Sequence, residues 1–191
     1  MPSCSSSSHI NPNVFVTTPS SSNNTRLVVS ISESGFSGGF GAAGADGVTG
    51  GDVIFFDARS GSVSENKFTK AQADSPATSE VFGVVETVNT STGFADVVMS
   101  GLISYPTERY NTITDSDGTT GGGVGGNDVY FLSGATAGEL QNLSPNTQTW
   151  ITKPVLSNLG ASSAITGFTG LVLNYIGYEV GGAVAGEDLS S

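Results

Sequence analysis

GGDVIFF stands at residues 50–56 and GGNDVYFL at residues 125–132. In both, a glycine pair and an acid lead into β-branched and aromatic residues, the composition of a strand entered from a tight turn. The sequence that follows is alike as well. After DVIFF come DARSGSV, a polar stretch holding Pro76, and SEVFGVVE; after DVYFL come SGATAGEL, a polar stretch holding Pro145, and WITKPVLSN. Each half therefore reads as strand, glycine turn, short strand, proline-bearing loop and apolar strand. Two such halves suggest a pseudo-twofold barrel, because each alone leaves a sheet edge that the other can pair. The competing account is that small β-domains share turn grammar by chance.

Outside the repeat the same pattern continues. RLVVSIS (26–32), SEVFGVVETV (79–88), FADVVMSGLIS (94–104), DVYFL (128–132), WITKPVLSN (150–158) and GLVLNYIGYEV (170–180) join DVIFFDA as strand candidates. GFSGGFGAAGADGVTGG (35–51) is a glycine-rich connection. Pro154 marks its strand as an edge or as carrying a bulge there. No stretch repeats apolar residues at helical spacing over three turns. The expected fold is all-β, a small barrel or sandwich of about eight strands, the number that such closure takes. The expected organisation is an extended arm over 1–25, the β-domain over 26–181 with an insertion at 104–126, and a flexible tail over 182–191. Pro2, Pro12 and Pro19 break regular structure in the arm, where Val14, Phe15 and Val16 offer something to bury.

Composition narrows the function. Charged residues are 12% of the 191, about half the usual share, and 27 glycines with many Ser, Thr and Asn carry the turns. The net charge is −11, whereas affinity for nucleic acid comes from cations on phosphate, so no nucleic-acid partner is expected. No apolar run approaches the roughly 20 residues that span a bilayer, so no membrane partner is expected either. MPSCSSSSHI lacks the basic and apolar regions of a secretory signal, which points to a protein made in a cytoplasm.

Candidate chemistry is sparse. GFGAAG (39–44) has dinucleotide spacing, but ADGVTGG follows it where the fingerprint needs a helix to hold the pyrophosphate. DSDG (115–118) opens like a calcium loop, yet Gly126 occupies the position of the twelfth-residue acid. A cation shared between loops of neighbouring subunits stays open there. His9 and Cys4 are the sole histidine and cysteine and lie in the arm, where no base can be held against a nucleophile. One of each cannot supply a tetrahedral zinc set. The expectation is a protein without enzymatic activity, cofactor or resident metal. Contact residues are expected instead: Val14, Phe15 and Val16 in the arm, and Tyr105, Arg109 and Tyr110 at the start of the insertion.

TSEVFGVVETV, VVMSGLIS, DVYFLSGATAGEL, ITKPVLSN and TGLVLNYIGYEV, in that order, resemble a β-domain of tailed-bacteriophage virion proteins, those of cyanobacterial phages above all. That domain serves as a terminal module of tail fibres and related surface proteins, and the resemblance covers residues 50–181. The repeated G-D-V strands are also similar to the small β-barrels of head-decoration, or cement, proteins. This second likeness implies a homotrimer on the major capsid protein, with arms clamping neighbouring shell subunits, and a place in the virion. The lack of a shaft before the domain and the 104–126 insertion depart from the fibre pattern and favour an accessory subunit. The alternative is a tail or collar fibre or adaptor module whose tip, with Tyr105, Arg109 and Tyr110, meets a host surface glycan. A secreted polysaccharide-binding or hydrolytic domain is the third class, without a signal or an acid pair to support it.

Overall fold

The computed structural model of the chain describes residues 14–16, 24–31, 47–59, 67–106, 109, 112–113, 129–145, 147, 150–159 and 168–173, the first three as backbone. They form an all-β fold of ten strands: β1 (Val14–Val16), β2 (Thr25–Ser30), β3 (Val53–Asp57), β4 (Lys67–Lys70), β5 (Gly83–Asn89), β6 (Phe94–Tyr105), β7 (Val129–Leu132), β8 (Leu140–Gln141), β9 (Pro154–Asn158) and β10 (Phe168–Val172). The main path of the sheet runs β4-β3-β5-β6-β10-β9-β7-β8, every pairing antiparallel. With β3 matched to β7, β4 to β8, β5 to β9 and β6 to β10, this order reads the same from either end. The halves inferred from the two glycine motifs therefore share one connectivity and meet at the β6–β10 ladder, where Phe168 lies opposite Tyr105 and Val172 opposite Gly101.

Register refines the repeat. Aligning the two D-V pairs puts Val53 opposite Val129, but Val53 is fully buried and Val129 exposed. Counting from the glycine pairs without a gap matches Phe55 to Tyr130, and both enter the same core. A shift of one residue exchanges the faces of a strand, so the gapless count is the structural one. Pro154 behaves as a bulge residue in an internal strand: β9 is paired on both sides, and the β7–β9 register slips between Tyr130 and Phe131, opposite Pro154. As the first residue of its strand it withholds no ladder donor from the interior.

β6 is the element on which both halves depend. Residues 94–98 of β6 pair with β5 along one edge and with β2 along the other, and beyond residue 100 β10 takes over the β2 side. Gly101 stands at that change with φ +101°, a conformation costly for any residue with a Cβ. A Cβ there would also come within 2.1 Å of Asn24 Oδ1. Asn24 fills the gap in the ladder: Leu102 N donates to Asn24 Oδ1 (2.8 Å), and Asn24 Nδ2 donates to Leu102 O (3.0 Å). Upstream, β1 adds to the free edge of β2, with Phe15 opposite Val28.

Two apolar clusters sit on the two faces of the first half. One lies inside the curl of the sheet and draws on both halves, with Val53, Phe55, Val84, Val98, Ile103, Tyr130, Leu132 and Leu156 among its members. The Phe168 ring stacks on Tyr105 at 4.8 Å and tilts against Tyr130 at 5.0 Å, so aromatics fill the centre where the halves join. The second cluster covers the opposite face of the first half, with Leu27, Val29, Ile54, Phe68, Val85 and Val97, and Val48 from the connection before β3 closes over it. Full burial of each such side chain contributes about 1.5–3 kcal/mol. The curl is a half-barrel whose seam is bridged by main chain: Val53 N to Gly138 O (2.9 Å), Gly138 N to Ala71 O (2.7 Å), Ala73 N to Ser133 O (2.9 Å) and Ile151 N to Ala73 O (2.8 Å).

Asn24→Ala leaves the Leu102 N–H and C=O without their partner, and the expected loss is about 1–3 kcal/mol of unfolding free energy. Gly101→Ala, strained as well as clashing, is expected to lose at least as much. Urea unfolding followed by circular dichroism measures both; an unchanged midpoint for Asn24→Ala would remove this side chain from the account of the ladder.

Candidate functional site

The first glycine motif folds around its acid. Asp52 Oδ2 accepts from Thr49 N (2.7 Å) and Thr49 Oγ1 (3.1 Å), while Gly51 N donates to Val85 O (2.7 Å) and fixes the turn on β5. The Asp52 side chain is fully buried. A carboxylate so placed needs charge partners, and two cations supply them. Arg109 Nη2 donates to Asp52 Oδ1 at 2.8 Å, and Lys70 Nζ, at the end of β4, lies 3.5 Å from Oδ2. Arg109 Nη1 reaches Glu139 Oε1 at 3.5 Å from the connection leading into β8. Gly138, with φ +80°, brings its backbone so close that a Cβ would stand 3.0 Å from Asp52 Oδ1 and from Lys70 Cδ. Two carboxylates and two cations thus neutralise one another at the seam.

Their electrostatics follow from burial. Burial raises the Glu139 carboxyl above its ordinary range, with Arg109 opposing and the Asp52 charge adding to the rise. Burial likewise pushes the Tyr105 phenol up, against the pull of Arg109. A second ion pair, Arg26 with Glu86, lies where the β5–β6 register slips between Val85 and Thr87. Ser104 N donates to Glu86 Oε1 at 2.9 Å. Burial works to raise the Glu86 carboxyl, but the hydrogen bonds from Arg26 and Ser104 and the Arg26 charge together hold it below its ordinary value. A groove of about 700 Å³ opens beside this pair, lined by Thr49, Glu86, Thr87, Val88, Ser104 and Pro106.

Chemically, the seam cluster is built to hold. Asp52 spends both oxygens on cations and a turn, and the main chain of Arg109 is held on both sides, its N donating to Pro106 O (3.2 Å) and its O accepting from Thr112 N (3.2 Å). Among the described residues no group of three or more His, Cys, Asp or Glu is placed to hold a metal ion.

Two of the expected contact residues, Tyr105 and Arg109, turn inward. Tyr105 is 3% exposed, its ring stacked within the core, and Arg109 is drawn inward by Asp52 and Glu139. The physical reason is pairing: the buried Asp52 carboxylate and the Phe168 ring offer more than solvent does. Tyr110 lies outside the described residues, as do His9, Cys4, GFGAAG and DSDG; of Val14, Phe15 and Val16 the backbone alone is described. Sequence reasoning passed over Asp52, Lys70 and Glu139. The signal was an acid wedged between a glycine pair and an apolar strand, where a charge can be buried only with a partner. No protein-family model, no curated protein and no solved structure matches the chain.

Asp52→Asn removes the buried carboxylate that Arg109 and Lys70 share at the seam, with an expected loss of about 3 kcal/mol in denaturant unfolding. For pH the signs are opposite at the two glutamates. Glu86, lowered on folding, contributes stability above the ordinary carboxylate range that is lost as pH falls through it. Glu139, raised on folding, contributes at low pH and loses that contribution as pH rises through the same range. Unfolding free energy measured from about pH 3 to pH 6, the span in which glutamates titrate, is expected to fall more gently toward acid in Glu86→Gln and more steeply in Glu139→Gln.

Proposed function

We propose that the chain is a non-enzymatic structural subunit of a bacteriophage virion, a homotrimeric protein that decorates the capsid and stabilises the head. The observation that carries the proposal is β1. A segment of the Ser- and Pro-rich arm is competent to lie as an added strand on a sheet edge, three residues in register with Val29, Val28 and Leu27. Strand addition uses main-chain hydrogen bonds and so accepts a neighbouring subunit's edge as readily as its own. The resemblance of residues 50–181 to phage virion β-domains supports the same reading, and so does the inward use of the charges at the seam. A net charge of −11 favours solubility and opposes non-specific binding.

The mechanism is a clamp. Each arm contributes one strand and its apolar side chains to a shell subunit, and several weak contacts per trimer add up through effective concentration. The alternative, a tail or collar adaptor that meets a host glycan, rests on the 111–126 loop once Tyr105 and Arg109 are committed to the core.

Deleting residues 2–16 removes β1 and spares Asn24 and β2, so the domain keeps its fold. Expected is a truncated protein with native circular dichroism that no longer occupies purified heads. Undiminished occupancy removes the clamp, and binding of the intact protein to host cells in place of heads selects the adaptor.

A further inference from the structure

At the seam the fold presses Lys70 and Asp52 together. The residues next to them are fixed by main chain: Ala71 N donates to Val53 O (2.9 Å), Val53 N to Gly138 O (2.9 Å) and Gly138 N to Ala71 O (2.7 Å). Gly138 lets its strand lie against both side chains, since a Cβ there would stand 3.0 Å from Lys70 Cδ and from Asp52 Oδ1. Lys70 Nζ rests 3.5 Å from Asp52 Oδ2, longer than the about 2.7–2.9 Å of a charge-assisted hydrogen bond. Both lone pairs of Oδ2 are already taken, by Thr49 N (2.7 Å) and Thr49 Oγ1 (3.1 Å). The nitrogen therefore meets the carboxyl group at contact distance, not as the donor of a strong hydrogen bond. Water is scarce here, with the Asp52 side chain 0% and the Lys70 side chain 15% exposed.

We propose that Lys70 and Asp52 condense into an isopeptide bond, a covalent staple that the fold makes between its own side chains. The step balances within the pair. A proton passes from the ammonium to Oδ2, leaving an amine beside a carboxylic acid. Nζ then bonds to Cγ while the Cγ–Oδ1 π electrons move onto Oδ1, where Arg109 Nη2, 2.8 Å away, faces the developing negative charge. A second proton leaves the nitrogen for the hydroxyl at Oδ2, Oδ1 recovers its double bond, and Oδ2 departs as water. One ammonium and one carboxylate become one amide and one water, with no oxidant or co-reactant. Arg109 keeps Glu139 as its counter-charge, so losing one charge of each sign leaves the seam balanced. Held by the fold, the two groups react as parts of one molecule, and effective molarities in well-oriented cases reach about 10⁵–10⁸ M. The four-charge set is the state in which the chain folds, and the bond closes from it. Lys70 ends β4, the last strand of the sheet path, so the staple ties that strand to the turn before β3. The inference does not depend on the virion reading.

The test is the intact mass of the folded full chain, read by mass spectrometry under denaturing conditions. Lys70→Arg is the comparison, because arginine keeps a positive charge beside Asp52 and lacks the amine. Expected is a wild type lighter than its sequence by one water, and a variant at its full mass. Trypsin digestion of the denatured wild type is expected to leave residues 27–59 joined to 68–109, since an acylated Lys70 is no longer a cleavage site. A folded wild type at its full sequence mass overturns the inference, and this reading decides even if the variant fails to fold. So does a missing water that persists in Lys70→Arg, which would place the dehydration elsewhere, as a succinimide at Asp46–Gly47 or Asp117–Gly118. Head occupancy plays no part in these masses, so the staple and the virion proposal stand or fall separately.

Discussion

One strand has to belong to two half-sheets. β6 gives its first residues to β5 and β2 and its last to β10, and the change of partner falls at Gly101. At that point the chain needs a positive φ and room for a neighbouring side chain, which glycine alone offers without strain. Asn24 then occupies the place a strand would fill. Its amide presents a donor and an acceptor to Leu102 much as a backbone residue would, so the ladder passes from β2 to β10 without an orphaned peptide group. The curl, the central aromatic trio and the approach of the seam all require β6 to continue through this change.

The seam shows how a chain poor in charge uses the charges it has. Asp52 is buried, Arg109 bridges it to Glu139, and Lys70 closes the set. The four residues come from four places along the chain, and their geometry exists only when both halves are in position. Apolar packing alone tolerates sliding of one surface on another, while a buried acid facing two cations accepts a single arrangement. The cluster therefore specifies how the two halves meet more than it adds to net stability.

Much of this fold was legible in sequence, and the limits have physical causes. The strands over 26–32, 79–88, 94–104, 128–132 and 150–158 each announce themselves by β-branched runs between turn residues, and the two glycine motifs carry the duplication. The matching of the repeat was misleading in detail because D-V catches the eye, whereas facing is fixed by residue parity counted from the glycines. β4 (KFTK) is masked by polar composition: it is a short strand ending the sheet path, with a lysine at each end. β8 is two residues long and leaves no period to read. Tyr105 and Arg109 look like surface anchors because their chemistry suits an interface equally well. What decides their place is a buried carboxylate more than fifty residues upstream of Arg109 and a ring beyond β9.

The symmetric strand order also divides the work of folding. Within each half, the first strand pairs with the two that follow it, and each of those pairings closes a comparatively short loop. The ladder of β10 on β6 and that of β2 on β6 instead join segments far apart along the chain. Closing those spans costs chain entropy before any contact returns it. Refolding is thus paced by the meeting of two half-sheets, and a ribosome would finish the first half well before its mirror partner emerged.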